Sequence, residues 1–343
     1  MLPEFLKERT EDVNNKLEEF LPKNITDEWV ESVLPNCTYD KNVLNSITEP
    51  IWEFLMRGGK RWRPILMMLC CDAVGGNPKV TDFIPFVELI HNGTLMVDDI
   101  EDNSDTRRGK PCTHKIYGND VAINTGNLMY YLPYLILKKS DIDSATKLKI
   151  HEATAEDMFK LHLGQGMDIY WHNGGELITE DLYLQMCAFK TGTLARMSAK
   201  IGGTLGGASK NQIDALGSFA ESLGVGFQIQ DDILNIANKG WGKDFGDDIN
   251  EGKRTLMVIY VLKNGTEVDV KRLTEILDMH TNDKSLIEEA IDILKKYDTI
   301  DYAKSKSQVI VKSAWEKLEP LLDETDAKEK LKLFCDFVVD REI

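Results

Sequence analysis

The sequence predicts an all-α fold, and three observations carry that expectation. Nine of the ten prolines lie between Pro3 and Pro133 and the next is Pro320, so a long proline-free stretch is open to consecutive helices. Apolar residues recur at helical spacing in Ile84–Val97, Leu182–Leu194, Phe219–Ile236 and Leu256–Leu262. Alternating runs of β type are hard to find, and several of the helical stretches are apolar on nearly every face, as expected of helices inside a bundle.

Breaks are expected where glycine and small polar residues gather, at Gly75-Gly76-Asn77-Pro78, at Asn173-Gly174-Gly175 and from Asn238 to Asp248. The charged, amphipathic region from Glu267 to Lys330 reads as outer helices. The first fifty residues carry no readable motif. With no low-complexity segment and no short-period repeat along the chain, residues 1–343 read as a single domain.

The 343 residues are enough to bury a substantial core, and 42% hydrophobic with 29% charged residues describes an ordinary globular chain. A formal net charge of −16 argues against nucleic acid as a partner, and means that local cations or metal ions must hold any anionic substrate. The six cysteines show no C-x-x-C spacing and read as reduced thiols of a cytoplasmic protein. No apolar signal segment opens the chain, and no stretch reaches the roughly 18 apolar residues of a membrane span.

The chemistry is concentrated in two acidic motifs. VDDIEDNSDTRRGKP closes the apolar helix that begins near Ile84. At about 100° per residue, its Asp98, Asp99 and Asp102 project within roughly a 100° arc. GVGFQIQDDILNI repeats the arrangement with Asp231, Asp232 and Asn235, and Gln228 lies one turn earlier. Carboxylates packed about 4 Å apart repel by on the order of 4 kcal/mol per pair at an effective dielectric near 20. An all-oxygen set on helices suits Mg²⁺, which takes one or two carboxylates together with waters and phosphate oxygens. A lone DD-x-x-D is more often a solvated helix end. Both copies here follow apolar helices, so the acids emerge from the core, which is expensive without a ligand.

Basic elements lie close by in the sequence. GGKRWRP places Lys60, Arg61 and Arg63 after a diglycine, and Arg107-Arg108-Gly109-Lys110 follows the first acidic motif by five residues. The planar fork of arginine matches phosphate oxygens. Lys190, in Lys190-Thr191-Gly192, sits among Met186, Cys187, Phe189 and Leu194, an apolar neighbourhood that requires a carboxylate or phosphate partner. Lys243 and Lys253 flank the acidic run Asp244–Glu251.

Taken together, GGKRWRP, DDIED with RRGKP, GQGMD, KTG, FQIQDD and GKDFGDDINEGKRT, in that order from Gly58 to about Thr255, resemble the trans-isoprenyl diphosphate synthases. IEDNSDTRRGKPCTHKIYG and LGQGMDIYW look most like the eukaryotic-type geranylgeranyl diphosphate synthases. The resemblance implies a bundle of roughly ten or more helices around a deep central cavity. It implies that Asp98, Asp99, Asp102, Asp168, Asp231 and Asp232 hold about three Mg²⁺ ions on an allylic diphosphate. Arg107, Lys190 and Lys243 would grip the same diphosphate, with Lys253 nearby. Gly59, Lys60, Arg63, His91 and Arg108 would hold isopentenyl diphosphate, and Thr191, Gln165 and Gln228 would lie near the reacting carbons. Asn235 departs from the family's commonest form, which has a third aspartate there.

The implied reaction is a Mg²⁺-dependent head-to-tail condensation in a homodimer or larger homo-oligomer, with dimethylallyl, geranyl or farnesyl diphosphate as starters. Small Gly93 and Thr94, one turn before Asp98, would leave the pocket open past that level, while Tyr130, Tyr131 and His162 would floor it, giving a twenty-carbon product. Without the resemblance, the last three read as core aromatics and a buried histidine. A terpene cyclase would have no use for GGKRWRP or Arg108. A non-catalytic partner subunit typically lacks one of the motifs present here.

Overall fold

The computed structural model describes residues 2–172, 178–237 and 246–339. It divides into two compact units, Met1–Ile150 with Ile201–Gly207, and His151–Lys200 with Ala208–Ile343. Helices dominate both. The first unit holds α1 (Leu2–Phe20), α2 (Asp27–Val33), α3 (Lys41–Leu55), α4 (Trp62–Asp72), α5 (Ile84–Glu101), α6 (Thr113–Tyr117), α7 (Asn119–Tyr131) and α8 (Tyr134–Lys139). The division then falls within α9 (Ser144–His172). The second unit holds α10 (Glu180–Cys187), a π-helical turn (Ala188–Gly192) and α11 (Thr193–Leu205), whose last residues return to the first unit. It continues through α12 (Lys210–Ala237), α13 (Asp247–Asn250), α14 (Leu256–Asn264), α15 (Glu267–Asp278), α16 (Lys284–Lys296), α17 (Thr299–Leu318) and α18 (Asp326–Val339).

Local signals start these helices where side chains can satisfy the first backbone N–H groups. Thr26, Asp40, Thr179, Thr255 and Asp283 each accept a hydrogen bond from the first turn of the following helix. Helix α5 begins with Pro85, whose fixed φ suits the first turn. Phe86, Val87, Leu89 and Ile90 on successive faces of α5 are fully buried, so this helix is central to the first unit, as its all-round apolarity predicts. In the second unit Tyr183, Ile229, Ile233, Val258, Leu273 and Leu294 belong to one buried cluster. Burying each such aliphatic side chain contributes about 1.5–3 kcal/mol. Among the described residues, no helix is long and apolar enough to cross a membrane.

Two features depart from the expected pattern. The run Leu182–Leu194 is not one α-helix but α10, the π turn and the start of α11. A tiny antiparallel hairpin also follows α5: β1 (Thr106–Arg107) pairs with β2 (Lys110–Pro111), with Arg107 opposite Lys110. Arg108 and Gly109 between them both have positive φ, 54° and 74°, the requirement of the tight two-residue turn that matches strand twist.

Candidate active site

The first acidic motif separates its own aspartates. Asp98 and Asp102 are half-buried, while the side chain of Asp99 is completely buried. The hairpin aims Arg107 back at this pair: Nε donates to Asp99 Oδ1 at 2.6 Å, Nη2 reaches the same oxygen at 2.5 Å, and Asp98 Oδ2 lies 3.4 Å away. Burial pushes the Asp99 carboxyl above the usual carboxylate range, and the guanidinium opposes that shift. Below the hairpin, Arg57 donates to the Arg107 carbonyl at 3.3 Å while gripping Glu53, which also meets Lys110 at 3.2 Å. Glu53 and Arg57, which the motifs did not single out, thus tie the hairpin to α3.

A cavity of about 290 Å³ in the same unit is lined by residues 59–63, Glu88, His91 and Arg108. Its cations are held by a buried polar chain. Arg61, with left-handed φ of 48°, turns inward and donates to Glu88 Oε1 at 2.6 Å, to the Leu55 carbonyl at 2.6 Å and to Asn14 at 3.2 Å. Asn92 donates to Glu88 Oε1 at 2.8 Å, and its own Oδ1 accepts from Arg108 at 3.3 Å. Arg108 also donates to the Gly58 carbonyl and stacks over Phe54, 5.4 Å from the ring centre. Burial and neighbouring arginines pull Arg108 down to about 10, against the pull of Glu88, so it stays cationic at neutral pH. Burial, then Arg63 and Arg108, hold His91 well below the usual imidazole range. Its neutral Nε2 can therefore accept from Arg63 Nη1 at 3.2 Å. Lys60, Arg63 and Arg108 give this cavity a net positive wall that fits a diphosphate. A shallow depression of about 460 Å³ on α16 is lined instead by Glu288, Glu289 and Asp292, which repel one.

In the second unit the π turn presents Lys190 and Thr191 between α9 and α12. Its close approach needs glycine. A Cβ at Gly164 would lie 2.4 Å from the Lys190 nitrogen, and one at Gly224 would lie 2.5 Å from the Gly192 Cα. Lys190 Nζ meets Asp168 at 2.6 Å, so the apolar neighbourhood of this lysine is answered by a carboxylate. Thr191 Oγ1 donates to Gln228 Oε1 at 2.8 Å. Gln228 Nε2 donates to Asp232 Oδ1 at 2.8 Å, and the Tyr183 hydroxyl donates to Asp232 Oδ2 at 2.6 Å. Burial, with Asp248 adding, pushes Asp232 up to about 7. Asp231, its neighbour in sequence, is exposed.

Several expectations change. Both oxygens of Asp232 are occupied by protein donors. Asn235 is buried, and its Oδ1 accepts from the Asp248 N–H at 3.2 Å, so its amide caps α13 where an aspartate had been the family's commoner residue. Lys253 pairs with Glu251 and lies 3.6 Å from Asp248. The small size of Gly93 serves helix packing: a Cβ there would lie 2.8 Å from the Gly126 carbonyl on α7. Thr94 is half-buried and donates to the His91 carbonyl, while Tyr130 is buried against Gly93. Tyr131 is 71% exposed and His162 is also exposed, so neither is the buried side chain expected of a pocket floor. Lys243 lies outside the described residues.

The donor chemistry fits a hard cation. Asp98 and Asp102, four residues apart on one helix, are half-buried acceptors, and Asp231 is an exposed one. Among the described residues no three His, Cys, Asp or Glu side chains form a metal cage by themselves. Mg²⁺ does not require one, because it binds through one or two carboxylates and completes its shell with water and substrate phosphate.

This combination of acidic helix ends and a basic cavity on an all-α scaffold fits a prenyltransferase, and comparison with known proteins agrees. A family model described as polyprenyl synthetase matches residues 44–294. The chain is 34% identical over 314 residues to a short chain isoprenyl diphosphate synthase of Methanothermobacter thermautotrophicus, covering 88% of this chain and 95% of that protein. It is 34% identical over 288 residues to a geranylgeranyl diphosphate synthase of Methanosarcina mazei, covering 83% and 86%. The crystal structure of geranylgeranyl pyrophosphate synthetase from Pyrococcus horikoshii superposes with a TM-score of 0.86 at 33% identity, covering 99% of this chain and 98% of that one. The chain belongs to the polyprenyl synthetase family. It is an isoprenyl diphosphate synthase, an enzyme that elongates prenyl chains.

Proposed function

We propose that this enzyme condenses isopentenyl diphosphate head to tail with allylic diphosphates (dimethylallyl, geranyl and farnesyl) and releases pyrophosphate, with geranylgeranyl diphosphate as its main product. The observation that carries this reading is that the first unit holds both a metal-competent acidic motif and a separate basic cavity. Two anionic groups, one metal-bound and one held by cations alone, are what a two-diphosphate condensation requires. The twenty-carbon product is supported by relatives named geranylgeranyl synthases.

Lys60, Arg63 and Arg108 would hold the diphosphate of isopentenyl diphosphate, with His91 and the backbone at Gly59 shaping its seat. Asp98, Asp102 and Asp231 would hold about three Mg²⁺ ions. Those ions, when bound, supply the positive charge that makes pyrophosphate a leaving group. Arg107 and Lys190 each now spend their charge on a carboxylate, Asp99 and Asp168, and would share it with the departing pyrophosphate. The allylic C–O bond breaks, the double bond of isopentenyl diphosphate attacks the resulting cation, and the proton lost afterwards passes to pyrophosphate. The oxygens of Thr191 and Gln228 would face that cation as negative dipole ends, and apolar walls would keep water from capturing it. Lys243 and Lys253 would add to the grip on the allylic diphosphate, and Thr94 would border the growing tail.

We also propose that the two units act as one catalytic domain, and that the enzyme is a cytoplasmic homodimer. Phe159, Leu163 and Tyr170 lie within about a 40° stripe on α9, with Phe159 70% and Tyr170 65% exposed. Such a stripe suits burial against a second copy. Light scattering of the purified protein checks the assembly. Incubation with Mg²⁺, isopentenyl diphosphate and each starter, followed by sizing of the products, checks the reaction. Product should form only with metal present, and failure with every starter would sink the proposal.

A further inference from the structure

By resemblance Asp232 is expected to ligate metal, yet its surroundings describe another task. Its two oxygens receive the Tyr183 hydroxyl at 2.6 Å and the Gln228 amide nitrogen at 2.8 Å. Tyr183 is among the largest fully buried side chains, on α10 just before the π turn, and Asp232 is itself buried. Each oxygen of this carboxylate already accepts from a protein donor, whereas Asp231 is exposed.

The partners fix a direction along the chain of hydrogen bonds. Ionised Asp232 only accepts, so opposite that form the amide of Gln228 turns its nitrogen towards Asp232. The opposite orientation would set an amide oxygen 2.8 Å from a carboxylate oxygen. Oε1 of Gln228 therefore points the other way, towards Thr191. That oxygen also only accepts, so Thr191 must spend its single hydroxyl hydrogen on it, over 2.8 Å. What remains on Thr191 is a pair of oxygen lone pairs.

We propose that Tyr183 and Asp232 are positioning residues that lock the Gln228 amide, and through it the Thr191 hydroxyl, so that Thr191 presents its oxygen and not its hydrogen to the cationic intermediate. This rests on the condensation proposed above. A hydroxyl free to rotate would also offer its hydrogen and would have to reorganise as the cation forms. A locked one is already oriented, which is the way fixed dipoles stabilise developing charge. The location fits: the π turn carries Thr191, and the adjoining turn of α10 carries Tyr183, so one segment supplies both ends of the relay.

The test is a double-mutant cycle on the full-length enzyme. Asp232→Asn lets the Gln228 amide reverse and releases the Thr191 hydrogen. It should lower kcat about 10- to 100-fold and leave the KM of both substrates and the Mg²⁺ concentration for half-maximal rate within about 3-fold. Thr191→Val should lower kcat comparably, and Asp232→Asn added to Thr191→Val should then cost no more than about 2-fold further. Tyr183→Phe, which keeps the ring, should show a smaller loss that also disappears in the Thr191→Val background, and it decides the matter if Asp232→Asn does not fold. Fully additive effects, an unchanged kcat, or recovery of the Asp232→Asn rate at high Mg²⁺ would each overturn the relay, the last by making Asp232 a metal ligand. A wild-type enzyme without condensation activity would instead refute the proposed function, so the two failures are distinguishable.

Discussion

The two acidic motifs look alike in sequence and are built differently. In each, the first aspartate, Asp98 or Asp231, keeps access to solvent, and the second, Asp99 or Asp232, turns into its own unit. The inner aspartates then meet opposite kinds of partner. Asp99 is neutralised by a cation, Arg107, delivered by a two-residue hairpin. Asp232 is held by two neutral donors, Tyr183 and Gln228. A repeated DD pair therefore does not mean a repeated function. One inner carboxylate anchors a charged arm, and the other orders a chain of neutral dipoles.

That contrast can be broken most sharply at the outer positions. Asp98→Ala and Asp231→Ala should each reduce the condensation rate by about 1,000-fold or more. Because neither supports the core, each should leave stability within about 0.5 kcal/mol of wild type in denaturant unfolding. An inner substitution should behave differently. Asp99→Asn removes the closer and fully buried counter-charge of the half-buried Arg107 guanidinium, leaving it only the longer contact to Asp98, and should destabilise the fold by about 2–3 kcal/mol. Asp232→Asn leaves only neutral groups to rearrange and should cost about 1 kcal/mol. Equal losses of stability in urea titrations would erase the distinction drawn between the two motifs.

Smaller effects sharpen the division of labour in the first unit. Glu88→Gln weakens the anchor of Arg61 and Asn92, and through Asn92 that of Arg108. It should raise the KM for isopentenyl diphosphate about 10-fold, a loss of about 1.4 kcal/mol, while leaving the KM of the allylic substrate unchanged in steady-state assays. Thr94→Tyr should shorten the product, read by chromatography of the dephosphorylated alcohols, whereas Tyr131→Ala should leave its length alone because the Tyr131 ring is exposed.

The helices were legible because apolar spacing and caps are local. The runs Ile84–Val97, Phe219–Ile236 and Leu256–Leu262 lie inside α5, α12 and α14. The acidic and basic motifs were legible because charge near apolar helices is costly without a ligand. What stayed hidden depends on distant partners. Arg61 reads only as one more cation of GGKRWRP with no role of its own, yet its left-handed backbone sends it to Glu88 and to Asn14 in the N-terminal helix, in the stretch where no motif was readable. Asn235 reads as a trimmed ligand and proves to be a helix cap. Gly93 reads as an open wall and is a helix contact. In each case a residue's type was plain from the sequence and its direction was not.

The π turn at Ala188–Gly192 has a consequence of its own. Bonds spaced five residues apart insert one residue more than an α-helix would use, so the turn acts as a phase shift of about 100° between the helices on either side. Deleting a single residue there would restore unbroken periodicity and still bury an apolar segment. It would also turn the face of α10 that carries Tyr183 away from Asp232 and leave the chain folded but mistimed, as a gear is when it slips by one tooth.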